Sequence, residues 1–209
     1  MKRYSIALTV LLGAVLITST GCFKQTTNHG LVERAEAKTA SGEKAGKTQT
    51  VAGLSLATSL PFRENERMDA EMGKVPDDAR SKIVSYESWN AESENSDWTV
   101  IVHRITYSPD IELDLSGAAK GAVEDVAEGL ENACKPEYTI NSQMIANMPG
   151  RYLSLMCNLP QEGPLYMEAV TFAKDATLWQ VRVLFQDKAK LTEAKAILNS
   201  VKTNQISQR

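Results

Sequence analysis

The side chains that could carry chemistry are few, and they are spread along the sequence. His103 is the only histidine after residue 50. A catalytic histidine needs a nucleophile and an orienting acid within hydrogen-bond reach. Cys157 is a candidate nucleophile, but it lies among leucines, and apolar surroundings make a thiol less reactive. On a strand, His103 shares one side with Ile101 and Ile105, so we expect a hydrogen-bonded core or edge histidine.

Two short patterns resemble known sites without meeting their requirements. The acids in residues 110–114 alternate as in a calcium loop, but such a loop needs Gly at its sixth position and Glu at its twelfth. Those positions hold Leu115 and Gly121. Ser41 and Lys44 have the Ser-x-x-Lys spacing of penicillin-recognising enzymes, without the other two motifs of that family. The sequence therefore predicts no enzyme, no metal site and no cofactor.

The amino terminus has the three zones of a secretory signal. Lys2 and Arg3 precede an apolar run over residues 6–17. That run has the length of a signal core and is too short to span a bilayer. Small residues then lead directly to Cys22. We therefore predict a signal peptide over residues 1–21.

The small residues before Cys22 resemble the lipobox of bacterial lipoproteins, although Ser19 stands where the family prefers an aliphatic residue. The resemblance implies that Cys22 is the lipidation site and that palmitate-type chains hold the protein to a membrane on its periplasmic side. Because Phe23, and not Asp, follows the cysteine, the family pattern favours the outer membrane. The alternative is an ordinary signal cleavage nearby, with Cys22 an unmodified thiol.

Residues 22–50 are polar and lack an aliphatic cluster, so we expect a flexible tether with a reach of roughly 30 Å. One domain is predicted over 51–202, and a frayed tail over 203–209. Without the two basic residues of the signal peptide, the sequence has 21 basic and 26 acidic side chains. This negative balance argues against a nucleic-acid partner, which requires a basic face.

The periodicity predicts three strands, a helix, four strands and a closing helix. A run of antiparallel strands covered by helices is an α+β fold, here a sheet of about six or seven strands under two main helices. The predicted strands are residues 51–60, 82–91, 98–107, 138–145, 151–159, 165–173 and 177–185, and the predicted helices are 116–134 and 188–201. A Met-Pro-Gly turn is predicted at 148–150.

Two cysteines remain beyond the lipobox, Cys134 and Cys157. An even pair in an exported domain suggests a disulfide. Cys134 shares the inner side of the predicted helix with Leu130, and Cys157 shares the apolar face of its strand with Leu155. We expect a disulfide between the two; the alternative is a pair of buried free thiols.

The closing segment has a tight hairpin that leads into a Trp-Gln-Val strand at 179–181, followed by a short helix that ends Ile-Leu-Asn-Ser-Val-Lys at 197–202. This arrangement resembles the carboxyl end of PsbP-like domains. The Gly-Leu-Ser-Leu…Leu-Pro segment at 53–61 is similar to their first strand. The resemblance implies an α/β/α sandwich, as in the photosystem subunit PsbP, a Ran-binding import factor and many exported bacterial lipoproteins. That family is mostly non-enzymatic and supports protein assembly.

An acidic loop lies between two tryptophans and is the predicted partner surface. Trp89 and Trp98 flank a loop that contains Glu92, Glu94 and Asp97. One tryptophan could anchor a partner; alternatively, both pack beside the hairpin. We predict a non-catalytic binding or assembly-support domain that contacts an envelope protein. The alternative function is a small-molecule or lipid carrier with an apolar cavity of helix-grip type.

Overall fold

The computed structural model describes residues 47–65, 72, 75, 77–93, 98–160 and 162–204. The predicted signal peptide and Cys22 lie outside them. Within these residues the strands are β1 (Thr48–Val51), β2 (Leu54–Ala57), β3 (Arg63–Glu64), β4 (Ile83–Glu92), β5 (Trp98–Tyr107), β6 (Glu137–Ile145), β7 (Met148–Leu159), β8 (Gly163–Lys174), β9 (Thr177–Phe185) and β10 (Lys202–Thr203). The helices are α1 (Asp77–Arg80), α2 (Leu115–Gly129) and α3 (Leu191–Asn199), and a 3₁₀ turn at Lys188–Lys190 precedes α3.

The described strands form a seven-stranded antiparallel sheet in the order β3-β4-β5-β9-β8-β7-β6 and a small sheet in the order β1-β2-β10. The predicted fold class, α+β with an antiparallel sheet under two main helices, is confirmed. No helix in the described part of the chain is long and apolar enough to cross a membrane.

The two main helices pack on opposite faces of the large sheet because side chains alternate along each strand. On β9, Val181 and Val183 face α3, where Ile197 and Leu198 cover them. Leu184 lies in the other core, beneath α2. Burying one such side chain contributes about 1.5–3 kcal/mol. The molecule is therefore a sandwich with an apolar core on each side of the sheet.

Helix α2 ends five residues before the predicted boundary at Cys134. Asp114 caps its start, since its side chain accepts a hydrogen bond from the Ser116 backbone N–H. At the other end the Asn132 N–H bonds to the Ala127 carbonyl and the Glu131 N–H to the Glu128 carbonyl. These are the two hydrogen bonds of the Schellman pattern, and both Glu131 and Asn132 have left-handed backbone, with φ of 52° and 57°. The predicted helix was too long because Leu130 fits the apolar periodicity, although it packs on the core from beyond the last turn.

Two further predictions of local structure are wrong, each because a tight turn falls elsewhere. The predicted strand 51–60 is the hairpin β1–β2, turned at Ala52 and Gly53 with φ of 50° and 77°. The Met-Pro-Gly segment at 148–150 belongs to β7, and the turn lies at Ala146 and Asn147, with φ of 50° and 66°. Positive φ at both central residues is the backbone that matches the twist of paired strands.

Both predicted domain boundaries fall inside paired strands. β1 begins at Thr48, within the segment predicted as tether, and pairs with β2. β10 includes Thr203, within the predicted tail, and also pairs with β2. Trp179 joins the two sheets, since its Nε1 donates a hydrogen bond to the Ala52 carbonyl at 2.9 Å. The small sheet therefore fastens both ends of the domain over α3.

Candidate functional site

His103 lies on β5 under α2 and is only 4% exposed. Its Nδ1 shares a hydrogen bond with the Tyr86 hydroxyl at 2.8 Å, and the two rings stack. Burial, and secondarily the charge of Arg182, holds the pKa of His103 well below its ordinary value. The imidazole is therefore neutral at physiological pH. This is the buried, hydrogen-bonded histidine that the sequence predicts.

His103 belongs to a row of polar residues that crosses the sheet beneath α2. Each member is the register partner of the next on adjacent antiparallel strands. The row is Ser88, His103, Gln180, Thr171 and Arg151. The sequence alone does not reveal this row, because the polar side of β9 has the alternation of a solvent-facing surface.

Gln180 and Arg182 connect this row to the helix. The Gln180 Nε2 donates to the Ala118 carbonyl at 3.1 Å and to the Thr171 hydroxyl at 3.0 Å. Arg182 donates to the Gln180 Oε1 at 2.6 Å and, through Nη2, to the Asp125 Oδ2 at 2.5 Å. The Arg182 and Asp125 side chains are 6% and 3% exposed. These bonds satisfy buried polar groups and fix α2 on the sheet.

The row does not assemble a nucleophile with its base. Ser88 lies opposite His103 on the neighbouring strand, yet its hydroxyl makes no hydrogen bond to any described residue. Asp125 is the buried carboxylate that could orient a catalytic base, but it accepts its hydrogen bond from Arg182. Among the described residues, no group of three His, Cys, Asp or Glu side chains could hold a metal ion. What the geometry of the row explains is the docking of α2.

A second polar group lies on the α3 side of the sheet. Glu168 of β8 is 3% exposed and accepts hydrogen bonds from the Tyr152 hydroxyl at 2.5 Å and the Ser154 hydroxyl at 2.8 Å. Burial, followed by the bond to Glu168 and its charge, raises the pKa of Tyr152 above its ordinary value. Tyr152 therefore remains a protonated donor. In the sequence, this polar group is indicated by one acidic residue, Glu168, within an otherwise apolar predicted strand.

Cys134 and Cys157 form a disulfide with their Cα atoms 5.8 Å apart, inside the range that such a bond requires. Cys157 is fully buried beside Leu153 and Leu155. Cys134 lies beyond the end of α2 and not on the helix, so the bond fastens the connection between α2 and β6 to the sheet. A closed loop with a sequence separation of 23 residues contributes roughly 3 kcal/mol in the chain-entropy model.

Of the predicted partner surface, the structure describes Trp89, Glu92 and Trp98. Trp98 is 6% exposed and belongs to the core under α3, where Lys190 lies over its ring at 5.4 Å. Trp89 is half-buried against the same core. Glu92 is exposed, while Glu94 and Asp97 lie outside the described residues. Trp98 therefore takes the alternative of packing beside the hairpin, because the alternation of β5 directs this side chain inward with Val100.

No family model matches the sequence, and no curated protein is significantly similar to it. The solution structure of cyanobacterial PsbP (CyanoP) from Synechocystis sp. PCC 6803 is similar in fold. It has a TM-score of 0.55 and covers 78% of this chain and 94% of that chain, at 8% sequence identity. The chain has a PsbP-like fold. At this identity the likeness shows the fold alone.

The residues that carried the resemblance pack the interior of this PsbP-like fold. Trp179 stacks on Phe172 with the ring centroids 5.6 Å apart. Gln180 joins the buried polar row, and Ile197 and Leu198 of α3 are each 2% exposed. The shared motifs are therefore motifs of packing, which do not specify a function.

Proposed function

We propose that this protein is a membrane-anchored lipoprotein of the cell envelope whose PsbP-like domain binds another envelope protein or supports an assembly, without catalysis. The likeness in fold to CyanoP is the observation that carries the proposal. PsbP-like domains, by the resemblance described above, are mostly non-enzymatic and occur in many exported lipoproteins.

The disulfide supports an address outside the cytoplasm. Disulfides persist in oxidising compartments and are rare in reducing ones. The Cys134–Cys157 bond therefore agrees with export through the proposed signal peptide. Two or three acyl chains on Cys22, at about 0.8 kcal/mol per buried CH₂, would hold the chain firmly on the membrane. The outer membrane is the proposed location.

The distribution of polar side chains supports a role without catalysis. An enzyme needs a reactive group that a substrate can reach. The described histidine, His103, is buried and neutral, and the Arg182–Asp125 pair is enclosed between helix and sheet. These groups are engaged in packing, which leaves the surface of the domain for contact with a partner.

In-cell crosslinking followed by affinity purification from native membranes tests the proposal. A tagged full-length chain should recover one envelope protein reproducibly, and Cys22→Ser should lose it together with membrane attachment. Organic extraction of the purified protein, followed by mass spectrometry, provides the second measurement. A stoichiometric small molecule or lipid, with no protein partner, would replace this proposal with the carrier alternative.

A further inference from the structure

The two edge strands of the seven-stranded sheet differ in length and in protection. One edge is β3, which has only two residues, and the other is β6, which has nine. Proteins commonly protect sheet edges with short strands, with charges or proline on the edge strand, or with bulges. β3 is protected by its length. β6 carries a single charge, Glu137, and contains no lysine, proline or bulge.

Among the described strands, the outer edge of β6 is unpaired along its length. Each residue from Glu137 to Ile145 has a register partner on β7, in continuous antiparallel pairing. No described strand pairs with the other side of β6. In an antiparallel ladder, alternate residues direct their N–H and C=O groups away from the partner strand. β6 therefore offers a row of donors and acceptors to a further strand.

Two large apolar side chains stand exposed on this strand. Tyr138 is 48% exposed and Met144 is 63% exposed. Both lie on the side of the sheet that α2 covers, since their β7 partners are Leu155 and Pro149. Only one other large apolar side chain in the described residues is comparably exposed, Val84 at 67%. The exposed apolar surface is therefore concentrated at the β6 edge.

We propose that β6 is the interface of a homodimer, in which the β6 strands of two copies pair antiparallel about a two-fold axis at Asn141. Asn141 is the middle residue of β6, so this register pairs the whole strand end to end. The same register places Tyr138 of each copy opposite Met144 of the other. A two-fold interface requires such self-complementarity.

The charge pattern favours a second copy as the occupant. In this register Glu137 lies at opposite ends of the paired strands and faces Ile145, so no like charges meet. Tyr138 opposite Met144 forms a sulfur–aromatic pair on each side of the axis. The dimer joins two seven-stranded sheets into one continuous sheet. A shared membrane would raise the effective concentration of tethered copies, but the pairing does not depend on the anchor.

Cysteine crosslinking of the full-length protein in its native membranes tests the register. Opposed Cα atoms in an antiparallel pair lie about 4.5–5.5 Å apart, within disulfide range. Asn141→Cys should therefore give a disulfide dimer on a non-reducing gel. Thr139→Cys is the matched control, because both positions are exposed and face the same side. Its copies would lie four residues apart along the strand, about 14 Å, and should not crosslink.

Co-expression extends the test. In the proposed register, residue 139 of one copy lies opposite residue 143 of the other. A copy with Thr139→Cys should therefore crosslink to a copy with Gln143→Cys, whereas each variant expressed alone should not crosslink. No Asn141→Cys dimer, or equal crosslinking at Thr139→Cys, would overturn the proposal. A covalent adduct with a protein of another mass would overturn it in favour of a different partner strand.

Sedimentation of the purified chain tests the energetics. The double variant Tyr138→Lys/Met144→Lys places two lysines opposite each other twice, and like charges directly opposite destabilise a strand pair. Its dimer dissociation constant should rise about ten-fold or more. Val84→Lys, which adds a lysine away from β6, should leave the constant unchanged. If the double variant does not fold, the crosslinking pattern still decides the register.

Hydrogen exchange separates the second copy from the protein's own amino-terminal segment. In the proposed dimer, exchange of the outward β6 amides should slow with rising protein concentration. Protection that is independent of concentration and is lost when residues 23–46 are deleted would overturn the proposal, since that segment would then be the occupant of the edge.

Discussion

Arg182 of β9 donates a hydrogen bond to Asp125 of α2 at 2.5 Å, with both side chains almost completely buried. A buried ion pair is costly to desolvate, and removing one partner leaves an uncompensated charge. The pair therefore decides where α2 docks more than how stable the domain is.

Asp125→Ala should lower the free energy of unfolding by about 3–5 kcal/mol, because the Arg182 guanidinium would remain buried without its carboxylate. Urea unfolding monitored by circular dichroism measures the change. Glu193→Ala is the matched control, since Glu193 pairs with Lys190 at the surface and should cost less than about 1 kcal/mol. Equal losses in the two variants would contradict the assignment.

Replacing both partners with apolar residues should restore most of that loss. Arg182→Met combined with Asp125→Leu removes both buried charges and keeps apolar volume between α2 and the sheet. We expect a stability within about 2 kcal/mol of the parent protein, since buried pairs are often replaceable in this way. A double variant no more stable than Asp125→Ala would indicate that Gln180, which bonds to Arg182, depends on the guanidinium.

His103 should make stability depend on pH below about 6.5. Its pKa is depressed in the folded protein by burial and by Arg182, whereas the unfolded chain has the ordinary value of about 6.5. Below that pH the unfolded state binds a proton that the folded state does not, so stability falls as the pH is lowered. The decline should approach about 1.4 kcal/mol per pH unit.

His103→Gln isolates this effect. The variant should change stability at pH 7.5 by no more than about 1–2 kcal/mol and should lack the added decline between pH 6.5 and 5.5. Carboxylates titrate equally in both proteins, so the difference between their stability curves reports the histidine. Superimposable pH dependences would show that His103 binds its proton equally in the folded and unfolded states.

The disulfide should stabilise the domain without being required for its fold. Cys134→Ala/Cys157→Ala should lose roughly 3 kcal/mol in urea unfolding, mainly because the unfolded chain regains the entropy of an open loop. Dithiothreitol should destabilise the parent protein and leave the double variant unchanged. Mass spectrometry of periplasmic material under non-reducing conditions supplies the direct measurement, and two alkylated thiols there would contradict the bond.

The anchor prediction concerns residues outside those that the structure describes. Cys22→Ser should abolish incorporation of labelled palmitate and leave uncleaved or soluble protein. Ser19→Leu should increase processing, because it restores the aliphatic residue that the lipobox prefers. Membrane association of the parent protein without incorporated palmitate would show that another feature holds it there.

The sequence by itself determined the extents and faces of the central strands. The predicted limits of 98–107 and 177–185 are those of β5 and β9, and Leu153 and Cys157 share an inner face as predicted. These features are local, because a period of two assigns side chains to alternate faces whatever the neighbours are. The pairing of Cys134 with Cys157 was also predicted, although Cys134 lies beyond the end of α2 and not on the predicted helix face.

Only the tertiary structure decided which faces are covered. Gln180 and Arg182 have the alternation of a solvent-facing side, yet they are buried because α2 docks there with Asp125, which lies 57 residues before Arg182. Trp98 is buried because β5 pairs with β9 beneath α3. Burial depends on contacts between segments distant in the chain, and periodicity within one segment does not encode them. The outer edge of β6 is of the same kind, since the order of the described strands in the sheet gives it no partner among them.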